Sequence, residues 1–121
     1  MEDFVSIDIA KVLKEKGFNI PCVKHCINGQ VYISPYSNAY NYECEETVNI
    51  PTISQVLKWL REKFFLHISQ KPYPYEDGLM WMYEIRKFNE YSVSIMANKT
   101  GFVEEEAAAL AGIKYVLDYL I

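Results

Sequence analysis

Residues 51–70, PTISQVLKWLREKFFLHISQ, decide the fold. Thr52 and Gln55 form a T-x-x-Q capping box with Pro51 just outside it, which specifies a helix start. Ile53, Val56, Leu57, Leu60 and Phe64 then recur on the helical period as one apolar stripe. Ser54, Lys58, Arg61 and Glu62 fall on the other side, where water is expected. At Leu66 the period changes to two, through Leu66, His67, Ile68 and Ser69, and predicts a strand entered directly from the helix.

Toward the N-terminus, Ser6 is an N-cap for a first helix over residues 7–16, with Ile9, Val12 and Leu13 facing the core. Gly17 supplies the left-handed residue that ends it, and Phe18 is placed to fold back on Leu13. Residues 22–27 and 30–34 flank Asn28-Gly29, a strong hairpin signal because both turn residues accept positive φ. A two-residue turn opposes Ile27 to Gln30 and His25 to Tyr32. It turns Cys22 and Cys26 to one face and His25 to the other. Residues 35–50 have no sustained period. They read as an ordered loop holding Tyr36, Tyr40, Tyr42 and Cys44, with an acidic patch at Glu43, Glu45 and Glu46.

Toward the C-terminus, residues 71–78, KPYPYEDG, read as a turn-rich connection carrying Tyr73 and Tyr75. A second hairpin follows, with Trp81, Tyr83 and Ile85 alternating on one strand and Tyr91, Val93, Ile95 and Ala97 on the other. A loop over residues 88–90 pairs Ile85 with Val93 and Tyr83 with Ile95, which keeps the apolar sets together. The last helix is expected to start near Phe102 or Val103, with Glu104, Glu105 and Glu106 in its first turn, where the helix dipole favours carboxylates. Ala107, Leu110, Ile113, Leu117, Leu120 and Ile121 trace its buried stripe, and Tyr115 and Tyr119 lie on its far side. The sum is a single α+β domain over residues 1–121, an antiparallel sheet from two hairpins plus one strand, with three helices packed on one face. Residues 52–121 alone run α-β-β-β-α, the element order of a double-stranded-RNA-binding domain.

The 121 residues suffice for one core without metal or disulfide staples. No apolar run approaches the roughly 18 residues of a membrane span. The opening MEDFVSIDIAK is acidic and lacks an export pattern, and three irregularly spaced cysteines fit a reducing compartment, so the expected location is cytoplasmic. A net charge of −4, spread over both halves, disfavours a general polyanion binder. The last helix strengthens this, because three glutamates stand where an RNA-binding domain would meet phosphates.

No residue is assigned a catalytic, cofactor-binding or metal-binding role. Cys22 and Cys26 have near-zinc spacing, but four residues of strand separate Cα atoms by about 13 Å, too far for one tetrahedral ion. Buried free thiols account for them better. No nucleophile-elbow, zincin or P-loop motif is present, so an enzyme has no positive support. A small hydrolase or nuclease without a recognisable motif is the third-ranked reading. The distinctive feature is ten tyrosines. Tyr36, Tyr40, Tyr42, Tyr73 and Tyr75 fall in expected loops, and loop tyrosine is typical of protein contacts. The leading reading is a non-enzymatic module contacting a protein partner or a second copy through these tyrosines or a sheet edge. The alternative is a nucleic-acid-associated protein using Lys58, Arg61 and Lys63.

Three stretches carry a resemblance: SIDIAKVLKEKGFN-x-PC at residues 6–22, PTISQVLKWLREKFFLHI at 51–68 and EEAAALAGIKYVLDYLI at 105–121. Together the chain resembles short uncharacterised proteins encoded in phage and prophage regions of gut bacteria. The resemblance implies a phage-derived accessory product, and residues 35–50 are expected to match least. Its motifs pack helices and carry over no catalytic residue.

Overall fold

The computed structural model describes residues 3–33, 47–76 and 78–121. It is an α+β fold of three helices and two three-stranded antiparallel sheets. The elements run α1 (Ile7–Glu15), β1 (Lys24–Ile27), β2 (Gln30–Ile33), β3 (Thr47–Ile50), α2 (Ile53–Phe64), β4 (Leu66–Tyr75), β5 (Gly78–Phe88), β6 (Val93–Phe102) and α3 (Glu105–Tyr115). The last helix ends in a π turn over Val116–Leu120.

Local chemistry sets the helix ends. Ser6 Oγ accepts from Ile9 N–H at 3.2 Å. At the other end of α1, Gly17 (φ +95°) lets Gly17 N–H reach the Lys14 carbonyl and Phe18 N–H reach the Leu13 carbonyl. This paired closure brings Phe18 into the core. On α2, Thr52 Oγ1 accepts from Gln55 N–H at 3.2 Å, while Gln55 Oε1 accepts from Thr52 N–H at 2.8 Å. Ile53, Val56, Trp59 and Leu60 are its buried residues. Trp59, absent from the predicted stripe, stands edge-on to both Phe18 and Phe64, at 5.3 and 5.2 Å between ring centroids. Full burial of Phe18 against it stabilises by roughly 1.5–3 kcal/mol.

The first sheet has the order β2-β1-β3. Asn28 (φ 51°) and Gly29 (φ 81°) form the tight turn, and the register opposes Ile27 to Gln30 and His25 to Tyr32, as the sequence implies. Two expectations are corrected here. β1 begins at Lys24, so Cys22 precedes the strand, although Cys22 and Cys26 are both buried. Thr47–Ile50 is a strand, not the end of a loop, and it pairs along β1 with Asn49 opposite His25. Asn49 is fully buried and donates Nδ2 to the Ile20 carbonyl at 3.0 Å, tying β3 to the segment after α1.

The second sheet, β4-β5-β6, departs further from expectation. β4 does not stop at Ser69. It continues through Pro72 and Pro74 to Tyr75, so Tyr73 and Tyr75 are strand residues and not loop residues. Prolines are tolerated because β4 is an edge strand and both stand at positions whose backbone nitrogen faces away from β5. That parity follows from Phe65, an odd-numbered position whose carbonyl accepts from Phe88 N–H.

The β5–β6 connection spans residues 89–92, not 88–90. Asn89 Oδ1 accepts from Tyr91 N–H (2.8 Å), Ser92 N–H (2.9 Å) and Ser92 Oγ (3.3 Å), which closes the longer loop and sets Phe88 opposite Val93. Ile95 therefore opposes Arg86. Met96 is then an extra residue in a bulge, and Ala97 opposes Ile85. A second irregularity falls between Tyr83↔Lys99 and Trp81↔Phe102, where Gly101 takes φ +99°.

α3 covers one face of this sheet. It starts at Glu105, later than predicted, because β6 runs on to Phe102. Its buried side is Ala108, Ala109, Gly112 and Ile113, continued by Val116 and Leu117, while Ala107 is exposed. Tyr115 and Tyr119 lie outward and touch each other at 4.9 Å.

Candidate functional site

Strand alternation divides the second sheet into two faces. Leu66, Ile68, Tyr83 and Ile85 point to α3 and are buried. The other face carries Lys71, Tyr73 and Tyr75 from β4, Met80, Met82, Glu84, Arg86 and Phe88 from β5, and Val93 and Ile95 from β6. Among the described residues no helix or strand packs over it.

The β6 register makes one end of this face apolar. Under the three-residue loop expected from sequence, Val93 and Ile95 would have joined Ile85 and Tyr83 in the core. Closure by Asn89 puts them on the opposite side, where they are 62% and 59% exposed. Phe88 stands opposite Val93 and meets Phe65 edge-on at 5.9 Å. Phe65 itself holds φ 57°, a conformation a bulky residue adopts only under constraint, and is half exposed. Phe65, Phe88, Asn89 and Glu90 line a concavity of about 490 Å³ at this end. At the other end, Tyr73 and Tyr75 pack edge-on at 6.5 Å, and Tyr75 is 62% exposed. Tyr73 reaches across β5, where its hydroxyl accepts from Gly101 N–H at 2.8 Å.

Between the two apolar ends lies a compact ionic centre. Glu84 Oε1 accepts from Lys71 Nζ at 3.3 Å and from Arg86 Nε. Partial burial pushes the Glu84 carboxyl up. The hydrogen bonds and charges of Arg86 and Lys71 outweigh that, and it sits below the usual glutamate range. Lys71 and Arg86 thus share one carboxylate, which offsets one of their two charges.

The three residues of the nucleic-acid alternative do not form one basic face. Lys58 is paired with Glu62 at 3.9 Å along exposed α2. At about 100° per residue Lys63 is turned roughly 140° from Lys58, and its ammonium lies over the Trp59 and Phe64 rings at 5.4 and 5.6 Å. Arg61 stands exposed next to Glu62, three residues on from Lys58. Tyr36, Tyr40 and Tyr42, with Glu43, Cys44, Glu45 and Glu46, lie outside the described residues.

Among the described residues no group of three or more His, Cys, Asp or Glu could hold one metal ion. His25 is buried and stacks on Tyr32 at 5.9 Å. Burial pushes the Cys22 thiol up to about 12, the behaviour of a packed and unreactive sulfur. No helix among the described residues is long and apolar enough to cross a membrane. The chain matches no family model, no curated protein and no solved structure. The open face therefore stands on its geometry alone. Sequence reasoning found Tyr73 and Tyr75 but missed Met80, Met82, Phe88, Val93 and Ile95, which it assigned to an ordinary hairpin. The signal was the charge-free window YSVSIMAN at residues 91–98, unusual for a strand at a sheet edge.

Proposed function

We propose that this chain is a non-enzymatic protein-interaction module, a phage-derived accessory product in line with its resemblance, and that it contacts its partner through the open face of β4-β5-β6. The observation that carries this is the outward placement of Val93 and Ile95 beside Phe88, on the face that also bears Tyr75 and Met82. Exposed apolar patches of this kind mark contact sites, and covering them returns about 25 cal/mol per Å². The central Lys71–Glu84–Arg86 cluster favours a protein over a polyanion. Its net charge is only +1, and each of its ions already has a partner, so covering it leaves a single excess positive charge to be met. The fitting partner is a protein surface with apolar side chains at both ends and hydrogen-bond acceptors, at most one of them a carboxylate, in the middle.

Site-specific photo-crosslinking tests the proposal. A photoreactive residue at Met82, in the middle of the face, should yield a discrete adduct in cells expressing the chain. The same residue at Lys58 on α2 should not. Adducts from Lys58 but none from Met82 would overturn the assignment of this face.

A further inference from the structure

We infer that β6 is a self-pairing edge, through which two copies of this chain join their second sheets into one six-stranded antiparallel sheet about a two-fold axis. This concerns the edge of the sheet and stands apart from the function proposed for its face. The two edges are built differently. Along β4, Pro72 and Pro74 occupy outward-facing positions, so that edge lacks two successive backbone donors and its rings block an approaching strand.

Along β6 the same parity leaves donors available. Odd-numbered β5 positions turn their backbone groups to β6, so Ser94, opposite Lys87, bonds inward, while Val93 and Ile95 turn their N–H and C=O groups outward. Among the described residues none of these four groups has a hydrogen-bond partner in the ladder with β5 or in a turn. An antiparallel copy centred on Ser94 sets Val93 opposite the second copy's Ile95, and the reverse. Four backbone hydrogen bonds form and two pairs of β-branched side chains meet.

The charge distribution restricts where a second copy can dock. The chain carries a net charge of −4, so two copies repel over most orientations. Residues 91–98 contain no charged side chain, and β6–β6 pairing brings this neutral window against itself. The blocked β4 edge also decides the symmetry. Addition of β6 to the β4 of another copy would propagate as an open fibre, and Pro72 and Pro74 prevent it. The remaining arrangement is isologous and closes at two. The Val93 and Ile95 side chains of both copies then abut on the open face, merging two apolar patches into one.

The test is light scattering coupled to size exclusion on the full chain across a dilution series, with Val93→Pro and Ile95→Lys as variants. Wild type should elute at twice the 14.1 kDa chain mass and fall toward it on dilution. Val93→Pro removes only an outward N–H, as Pro72 does on β4, and should give the single-chain mass with an unchanged circular dichroism spectrum. Ile95→Lys places a charge in the pairing seam and should do the same if Val93→Pro fails to fold. A wild type at single-chain mass at every concentration would overturn the inference. So would a folded variant that keeps the wild-type dimer.

Discussion

Gly112 of α3 lies against Ile68 of β4 so closely that a Cβ on Gly112 would stand 2.8 Å from Ile68 Cγ2, with Tyr83 Cγ at 3.3 Å. The helix backbone rests directly on the sheet at this point. Ile68 is branched at Cβ, so the methyl in the way cannot swing aside. Glycine here is a packing requirement and not a turn requirement.

Gly112→Ala should therefore destabilise. Helix propensity alone favours alanine by about 1 kcal/mol. The overpacked contact costs roughly 1–3 kcal/mol, and with Tyr83 closing the second side the packing term dominates. A lower midpoint in urea denaturation, with unchanged slope, is the expected readout.

Asn49→Ala should cost roughly 1–3 kcal/mol, because it removes a fully buried amide donor from the Ile20 carbonyl, which keeps only the weaker Cys22 thiol at 3.3 Å. Thermal unfolding checks this, and Asn49→Asp should be at least as damaging, since it brings a charge into the same site.

Glu84 gives the acid limb of the stability profile a specific contributor. Its folded carboxyl titrates below its ordinary value, so its stabilising contribution is present above that ordinary value and is lost as pH falls through the folded one. Glu84→Gln should flatten the loss of stability on acidification compared with wild type, measured by denaturation at a series of pH values.

Cys22 works on the alkaline limb. Its thiol is raised from 9.0 to about 12, so its contribution is intact below about 9 and is lost as pH rises toward 12. At neutral pH the Cys22 thiol should react with a thiol reagent only after denaturant is added. Prompt modification of Cys22 in the native protein, mapped by peptide mass, would contradict its packing.

What was legible in the sequence was local. Thr52 with Gln55, Ser6 with Gly17 and Phe18, and Asn28 with Gly29 each fix a backbone geometry from neighbouring residues, and each stands as read. What was not legible depends on distant partners. Thr47–Ile50 alternates polar residues that look solvated, yet Thr47 and Asn49 are buried because β1 and the Ile20 carbonyl receive them. Pro72 and Pro74 read as strand breakers, and only their edge position makes them strand residues. The open face was hidden by a reasonable assumption, that a hairpin register gathers all apolar side chains inward. Asn89 closes a longer loop, and the bulge at Met96 returns only Ala97 to the core.

The most direct test of the central claim is quantitative capture with a single substitution on the open face. Immobilised wild type and Met82→Glu, matched for thermal stability, are compared for the proteins they retain from cells in which the chain is expressed, with Lys58→Ala as the control on α2. The account predicts that proteins retained by wild type and by Lys58→Ala are lost with Met82→Glu. Equal retention by Met82→Glu, or loss confined to Lys58→Ala, would contradict it.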